Sequence, residues 1–570
     1  MRKNIKPSSI ARAMHHCVLA LAFGASASFG AHALNSDATA VARNLDIFNA
    51  LIRELQLSYV DSIDAKKTVE DAMLYMLDAI DPYTTYYSAD NVEELSSISS
   101  GEYGGVGSLI GKRRDGRVAF TEPLENSPAY QAGVRGGDII RVVGTDTIRP
   151  GIELADVTAK LKGTPGTTVK VEVTRPYAQA DSLLTFNILR SKIATPAVSY
   201  YGTTGTNDRV GYIYLSSFTD SAPEEVRQAV EDMIKNKKIT SLVLDLQENP
   251  GGLLESAVDI VGLFVPKGTE VLRTRGRDAD SEKIYRTSRA PIAEKMPLAV
   301  LIDGYSASSA EIVAGSLQDL DRAVIVGERS FGKGLVQSSR SLPYDGVLKL
   351  TVAKYYIPSG RLIQAIDYSR RNDDGSVART PDSLTHVYHT LHGREVRDGG
   401  GITPDSVVKS PAGNRLLYNI RRDGWDTEFA TRYASQHPTI PPVGEFEITD
   451  SIFADFKRGI NPDEFNYDRA TTTALSALRT TARNEGYMND AVEQQLDSLE
   501  QLLHHDLNQD LDLNRDVLNQ ILSDAIVRRY YFQRGGVENS MRFNPQLIEA
   551  VKILETPKVY QSILEAKRTN

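Results

Sequence analysis

Residues Asp303 to Gln337 read DGYSASSAEIVAGSLQDLDRAVIVGERSFGKGLVQ. The five residues before them, Leu298 to Ile302, form a short apolar run of strand type. Ser309 to Leu320 carries helical periodicity, and Ala323 to Val326 is strand-like again. The same alternation runs upstream, with strand-like Val210 to Leu215 and Ser241 to Leu246 and helical Ala222 to Asn236 and Leu254 to Phe264. Strands alternating with helices of this length predict an α/β core, beginning near Val198. Within it Ser308 falls at a strand-to-helix turn. Lys333 falls in a glycine-flanked loop after the next strand, and Gln337 follows four positions later.

A serine hydroxyl becomes a competent nucleophile when a neighbouring base takes its proton, and that base is most often histidine. The chain has nine histidines. Three lie in the first 33 residues, and His386, His389, His392, His437, His504 and His505 all follow the decisive segment. Lys333 is much closer in sequence. A lysine base must be neutral, which requires a pKa lowered to roughly 7–8 by an apolar site without a carboxylate partner. Phe331, Gly332, Gly334, Leu335 and Val336 supply small or apolar neighbours.

Two other uses of Lys333 compete. Gly327 to Lys333 satisfies G-x-x-x-x-G-K, the start of a phosphate-binding loop, but that loop continues with Ser or Thr and a helix. Here Gly334 and strand-like Leu335-Val336-Gln337 follow. The plainer alternative is a lysine on a surface hairpin.

The segments SASSAEIVAGSLQD and GERSFGKGLVQ resemble those of the carboxyl-terminal processing (tail-specific) proteases. The resemblance implies Ser308 as nucleophile, Lys333 as general base and later acid, and Gln337 as the side chain orienting the lysine. The usual pattern Ser-Ala-Ser-Ala-Ser-Glu is here Ser306-Ala307-Ser308-Ser309-Ala310-Glu311, which sets a second hydroxyl, Ser309, beside the first. DLQENPGGLLESAVDI resembles the family's Asp-Leu-Arg-x-Asn-Pro-Gly-Gly segment, with Gln247 in place of arginine. The resemblance places an oxyanion hole at the Gly251-Gly252 pair and the backbone N–H of Ser309, since glycines opening a helix leave N–H groups unpaired.

Upstream, GEYGGVGSLIG and the run through Gly133-Val134-Arg135-Gly136-Gly137-Asp138-Ile139-Ile140 resemble a PDZ domain over 102–190. Such a module holds a peptide's terminal carboxylate on successive backbone N–H groups, here at Gly105, Val106, Gly107 and Ser108, and adds the peptide to a strand. Ser108 stands where an apolar residue is commoner. VLKLTVAKYYIPSGRLIQ and GREVRDGGGITPDSVV resemble the late part of the core, which closes near Val408.

The resemblance therefore implies a multidomain α/β protein with a protease core of the crotonase-like or ClpP-like kind over 198–408. The PDZ domain is inserted, a helical domain over 37–98 precedes it, and a helical appendage over 411–570 follows. In 45–95, Leu45, Phe48, Leu51, Ile52 and Leu55 share one helical face and Val69, Met73, Met76, Leu77 and Ile80 another. Asp506 to Asn514 invites an EF-hand reading, but Leu511 replaces the central glycine and Val517 the closing glutamate. That segment instead predicts an amphipathic helix. His386, His389 and His392 suggest a metal site by spacing alone; a solvated loop fits them better, and the expected protease needs no metal or organic cofactor.

At 570 residues, 41% hydrophobic and 24% charged, the chain has ordinary globular composition. Basic Arg2, Lys3, Lys6 and Arg12, apolar Cys17 to Gly30 and Ala31-His32-Ala33 read as a signal peptide over 1–33. Its removal takes away four basic residues and the sole cysteine, Cys17, and leaves a chain more acidic than its formal −9. Cysteine nucleophiles and cysteine metal sites are thereby excluded, and nucleic-acid binding through a basic face is disfavoured. The expectation is an exported, periplasmic endopeptidase without stable membrane insertion. It captures protein substrates by their C-termini, acting as a homo-oligomer or with an adaptor protein. A catalytically inactive PDZ scaffold that binds C-terminal peptides is the alternative.

Overall fold

The computed structural model describes residues 38–177, 182–368, 371, 376–410, 413–465, 470–503 and 506–565. The expected signal peptide and Cys17 lie outside the described residues. The chain divides into two compact units, residues 1–86 and 87–570.

In the first unit residues 38–58 are helical, and α1 spans Ala65–Asp78. Asp64 caps α1, its carboxylate accepting from Lys67 N. Beyond the helix, Asp81 Oδ1 accepts the N–H groups of Tyr83 and Thr84, each at 2.8 Å, in a local turn. Leu77 of α1 is buried, whereas Leu45, Leu51, Met76 and Ile80 of the predicted apolar faces are exposed.

The second unit is built on a six-stranded sheet. Its strands are β1 (Val198–Thr204), β2 (Val210–Leu215), β3 (Ser241–Asp245), β4 (Leu298–Ile302), β5 (Val324–Gly327) and β8 (Ser406–Val407), adjacent in that order. β1 and β2 are antiparallel, and the pairs β2–β3, β3–β4, β4–β5 and β5–β8 are parallel. β3, β4 and β5 are buried at every residue, as continuous apolar runs in a sheet covered on both faces must be.

Period-two alternation sorts their side chains. Leu242, Leu244, Val300, Ile302 and Ile325 pack against the crossover helices α2 (Ala222–Asp232), α3 (Leu254–Val261) and α4 (Ser309–Asp319). Val243, Ala299, Leu301, Val324 and Val326 face the other way, onto Leu547, Ala550, Ile553 and Leu554 of a C-terminal helix. A second sheet holds β6 (Leu335–Ser341) and β7 (Val347–Tyr356) with Glu270–Gly276 and Lys283–Arg286.

The segment 102–190 has its own core, including Val118, Phe120, Ile140, Val157, Val171 and Ile188. An antiparallel sheet runs through Ser108–Lys112, Val118–Pro123, Ile139–Val143, Thr168–Arg175 and Ser182–Leu189. Glu102–Gly105 pairs antiparallel with Ser191–Ala194, so the chain enters and leaves the segment side by side.

After 413 the described chain is helical. α5 (Arg415–Arg422), α6 (Trp425–Gln436) and α7 (Arg515–Met541) help enclose a separate apolar core, and α8 (Pro545–Leu554) covers the main sheet. Leu507–Leu513 is helical, as its amphipathic pattern predicts. α7 also meets the 102–190 segment. Arg529, pulled down to about 10 by burial, donates to Thr121 O, Thr427 O and Thr431 Oγ1. The α7 helix breaks at Phe532 (φ 56°), whose ring stands edge-on to Tyr130 at 5.2 Å. Among the described residues no helix is long and apolar enough to cross a membrane.

Candidate active site

Three adjacent parallel strands, β3, β4 and β5, end at the same edge of the sheet, where loops carrying polar chemistry collect in α/β folds. After β4, Asp303 Oδ1 accepts the N–H groups of Tyr305 and Ser306, each at 2.9 Å, and Ser306 Oγ donates to Leu246 O at 2.7 Å. The turn is thereby stitched to the end of β3. Ser308 follows with φ 56° and ψ −114°, a strained conformation for a residue with a Cβ. The same strained strand-to-helix geometry exposes the nucleophile in hydrolases with a nucleophile elbow. Ser308 precedes the first turn of α4, whose residues are all buried, so the positive end of the helix dipole lies beside it.

Its neighbour Ser309 is otherwise engaged. The Ser309 hydroxyl is buried and donates to the carbonyls of Gly252 (3.0 Å) and Leu253 (3.2 Å). It ties the turn at Ser308 to the glycine loop after β3, while Ser308 is partly exposed.

That loop is organised by Asn249, which is fully buried. Asn249 Nδ2 donates to Leu215 O (2.6 Å), its Oδ1 accepts Gly251 N (2.8 Å), and its carbonyl accepts Ala307 N (2.9 Å). A Cβ on Gly251 would sit 2.8 Å from both Ala307 O and Ser308 Cβ, and one on Gly252 2.3 Å from Phe218 O. Close approach thus demands glycine at both positions. Of the pair, Gly251 spends its N–H on Asn249. The N–H groups of Gly252 and Ser309 donate to nothing among the described residues.

The loop between β5 and β6 brings Lys333 to the same place through Glu311, a residue that the serine motif contains without giving it a role. Glu311, in the first turn of α4, is wholly buried. Its Oε2 accepts the backbone N–H groups of Ser308 and Lys333, each at 2.8 Å, and its Oε1 accepts the Gly332 N–H (2.7 Å) and the Ser330 hydroxyl (2.5 Å). Burial pushes Glu311 up to about 7 against the downward pull of the Ser330 hydroxyl and the three N–H groups. On the opposite side the buried Tyr355 hydroxyl lies 2.7 Å from Lys333 O and 3.2 Å from Ser308 O. Gln337 lies on β6 beside a register shift, and its Nε2 donates to Thr351 Oγ1 on β7 at 3.2 Å.

Glu311 stands three residues after Ser308, the spacing of a capping box, and that signal could have found it. Asn249 is the asparagine of the Asp-Leu-Arg-x-Asn-Pro-Gly-Gly pattern, which names it without a role, and Tyr355 carries no comparable local signal. Asp245, at the end of β3, is likewise pushed up to about 7 by burial, with Gln247 N and the Tyr212 hydroxyl opposing.

The remaining expected residues lie elsewhere. Gly105 pairs with Ser191, Val106 O accepts Ala129 N, Gly107 O accepts Leu124 N, and Ser108 Oγ donates to Glu122 O. Val106 and Gly107 leave their own N–H groups without a partner among the described residues. His386 Nδ1 is 3.1 Å from Asp398 Oδ2 and His392 N donates to Asp321. Among the described residues no group of three or more metal-ligating side chains comes together.

A sequence profile of Peptidase family S41 matches residues 209–370, and one for the C-terminal helical domain of probable PDZ-proteases matches 416–554. The carboxy-terminal-processing protease of Bartonella bacilliformis is 34% identical over 327 residues, covering 57% of this chain and 73% of the relative. Carboxy-terminal processing protease CtpB of Bacillus subtilis is 31% identical over 306 residues, covering 54% and 62%. The photosystem II D1 C-terminal processing protease, a solved structure, is 25% identical, covering 63% and 86%, with a TM-score of 0.34. An α/β core with a strained serine between strand and helix, in a chain matching these relatives, defines a serine-type peptidase. The chain belongs to the carboxy-terminal processing protease family.

Proposed function

We propose that this peptidase is exported, captures protein substrates by their C-termini on the 102–190 segment, acting as a PDZ domain, and cleaves peptide bonds with Ser308 and Lys333. Ser308 Oγ attacks the scissile carbonyl while neutral Lys333 takes its proton. The oxyanion is received by the N–H groups of Gly252 and Ser309. Lys333 then protonates the departing amine, and water, deprotonated by Lys333, hydrolyses the acyl-enzyme and restores Ser308. Gln337 orients the lysine from β6.

The observation that carries the reading is the common anchoring of Ser308 and Lys333 on Glu311 and Tyr355, which holds nucleophile and base in one frame. The open N–H groups at Val106 and Gly107 support carboxylate capture. Helices α2, α3 and α4 packed on one face of the main sheet support a crotonase-like or ClpP-like core. A quenched peptide with an apolar C-terminus tests the proposal. The purified protein should cleave it and Ser308→Ala should not; equal rates would end the reading.

A further inference from the structure

The loop that offers Gly252 N–H is fastened on its inner side to the nucleophile turn. Leu246 O accepts Ser306 Oγ, Glu248 N donates to Asp303 Oδ2 at 3.0 Å, and Asn249 O accepts Ala307 N. Its outer side is reached by the helical region. Asn544 Nδ2 donates to Gln247 Oε1 at 2.7 Å.

Asn544 has little freedom in this contact. It caps α8, with Oδ1 accepting Gln546 N (3.0 Å) and Leu547 N (3.1 Å), so the amide must present its NH₂ group outward to Gln247. α8 is itself fixed to the sheet. Leu547, Ala550, Ile553 and Leu554 pack on Val243, Leu301, Val324 and Val326, and the buried Gln546 donates to Ser410 Oγ at 2.9 Å. Gln247 occupies the position where the resembling segment has arginine. A guanidinium has no acceptor, so only a residue such as glutamine can receive this bond.

We infer that Asn544 is a positioning residue for the peptidase: from the N-terminus of α8 it holds Gln247 and, through it, the glycine loop that receives the oxyanion. The inference rests on the Ser308 and Gly252 roles proposed above. Because the contact bears on the oxyanion loop and not on substrate capture, its loss acts on the tetrahedral state more than on substrate affinity.

The test uses the full chain. Asn544→Ser keeps a good helix cap but is too short to reach Gln247. Asn544→Asp keeps the cap and can accept from a rotated Gln247 amide. Gln247→Met removes the acceptor. For Asn544→Ser the expected results are a kcat about fivefold lower, a parallel loss of affinity for a peptidyl boronate that mimics the tetrahedral state, and unchanged KM and Tm. Asn544→Asp should regain most of the turnover, and the double variant with Gln247→Met should be no worse than either single change.

Wild-type kcat and boronate affinity in Asn544→Ser would overturn the inference, as would a raised KM with a lowered Tm, which marks a purely structural contact. Ser308→Ala runs alongside. If it still cleaves, the active-site reading has failed; if it is dead while Asn544→Ser is normal, this inference alone has failed.

Discussion

Ser308 and Lys333, twenty-five positions apart in sequence, donate their backbone N–H groups to one oxygen of Glu311, each at 2.8 Å. One buried carboxylate thereby fixes the relative placement of the turn after β4 and the loop after β5. A carboxylate with four donors has no isosteric substitute, because an amide turns one acceptor into a donor.

Glu311→Gln should therefore fold while kcat falls on the order of a hundredfold, since the NH₂ group opposes two of the four donors and displaces Ser308 or Lys333. Glu311→Ala should also lose stability, by roughly 3 kcal/mol or more, as several buried donors are left unpaired. Steady-state kinetics and urea denaturation check the two outcomes separately.

The pH dependence of stability and of activity should run in opposite directions. Glu311 and Asp245 both sit near 7 in the fold, against ordinary values of 4.5 and 3.8. A carboxyl group raised in the folded state binds more protons folded than unfolded. Its stabilising contribution is fully present below the unfolded value and is lost as pH rises through about 7. In the proposed mechanism ionised Glu311 is the acceptor that places Ser308 and Lys333, so kcat should fall on acidification below about 7. Urea unfolding between pH 5 and 8 should show stability declining as pH rises, less steeply in Glu311→Gln.

The two adjacent serines should separate cleanly. Ser308→Ala removes the proposed nucleophile and should abolish turnover. Ser309→Ala removes only the hydroxyl that ties α4 to the carbonyls of Gly252 and Leu253. It should cost about tenfold in kcat and roughly 1–2 kcal/mol in stability.

Gly251→Ala should damage turnover even though the Gly251 N–H is not offered to substrate. Its Cβ would press on Ala307 O and Ser308 Cβ at 2.8 Å, and the φ of 100° adds strain. A displaced nucleophile turn predicts a kcat loss of about a hundredfold with a smaller change in KM. A wild-type kcat in this variant would contradict the geometry of the loop.

Much of this site was legible in the sequence for a physical reason. Central strands such as Leu298–Ile302 must be apolar throughout, and a nucleophile at a strand-to-helix turn needs small residues around it, so pattern and motif coincide from Leu298 to Gln337. The same local logic made Ser308 and Lys333 visible while leaving open which glycine keeps a free N–H, a question settled by the Asn249 side chain. What escaped depends on distant pairing. Tyr355 meets Lys333 because β6 and β7 pair antiparallel, and Asn544 meets Gln247 because α8 covers the outer face of the sheet, nearly three hundred residues later. The strands Glu270–Gly276 and Lys283–Arg286 are only partly buried, so their sequences lack the continuous apolar run that marks the central strands.

The most direct measurement of the central claim is the rate at which a fluorophosphonate labels the full-length protein, with the adduct located by peptide mass spectrometry. The account predicts a single adduct on Ser308 and a labelling rate at least about a hundredfold lower in Lys333→Met, since the hydroxyl then lacks its base. An adduct on Ser309, or labelling of Ser308 that proceeds unchanged without Lys333, would contradict it.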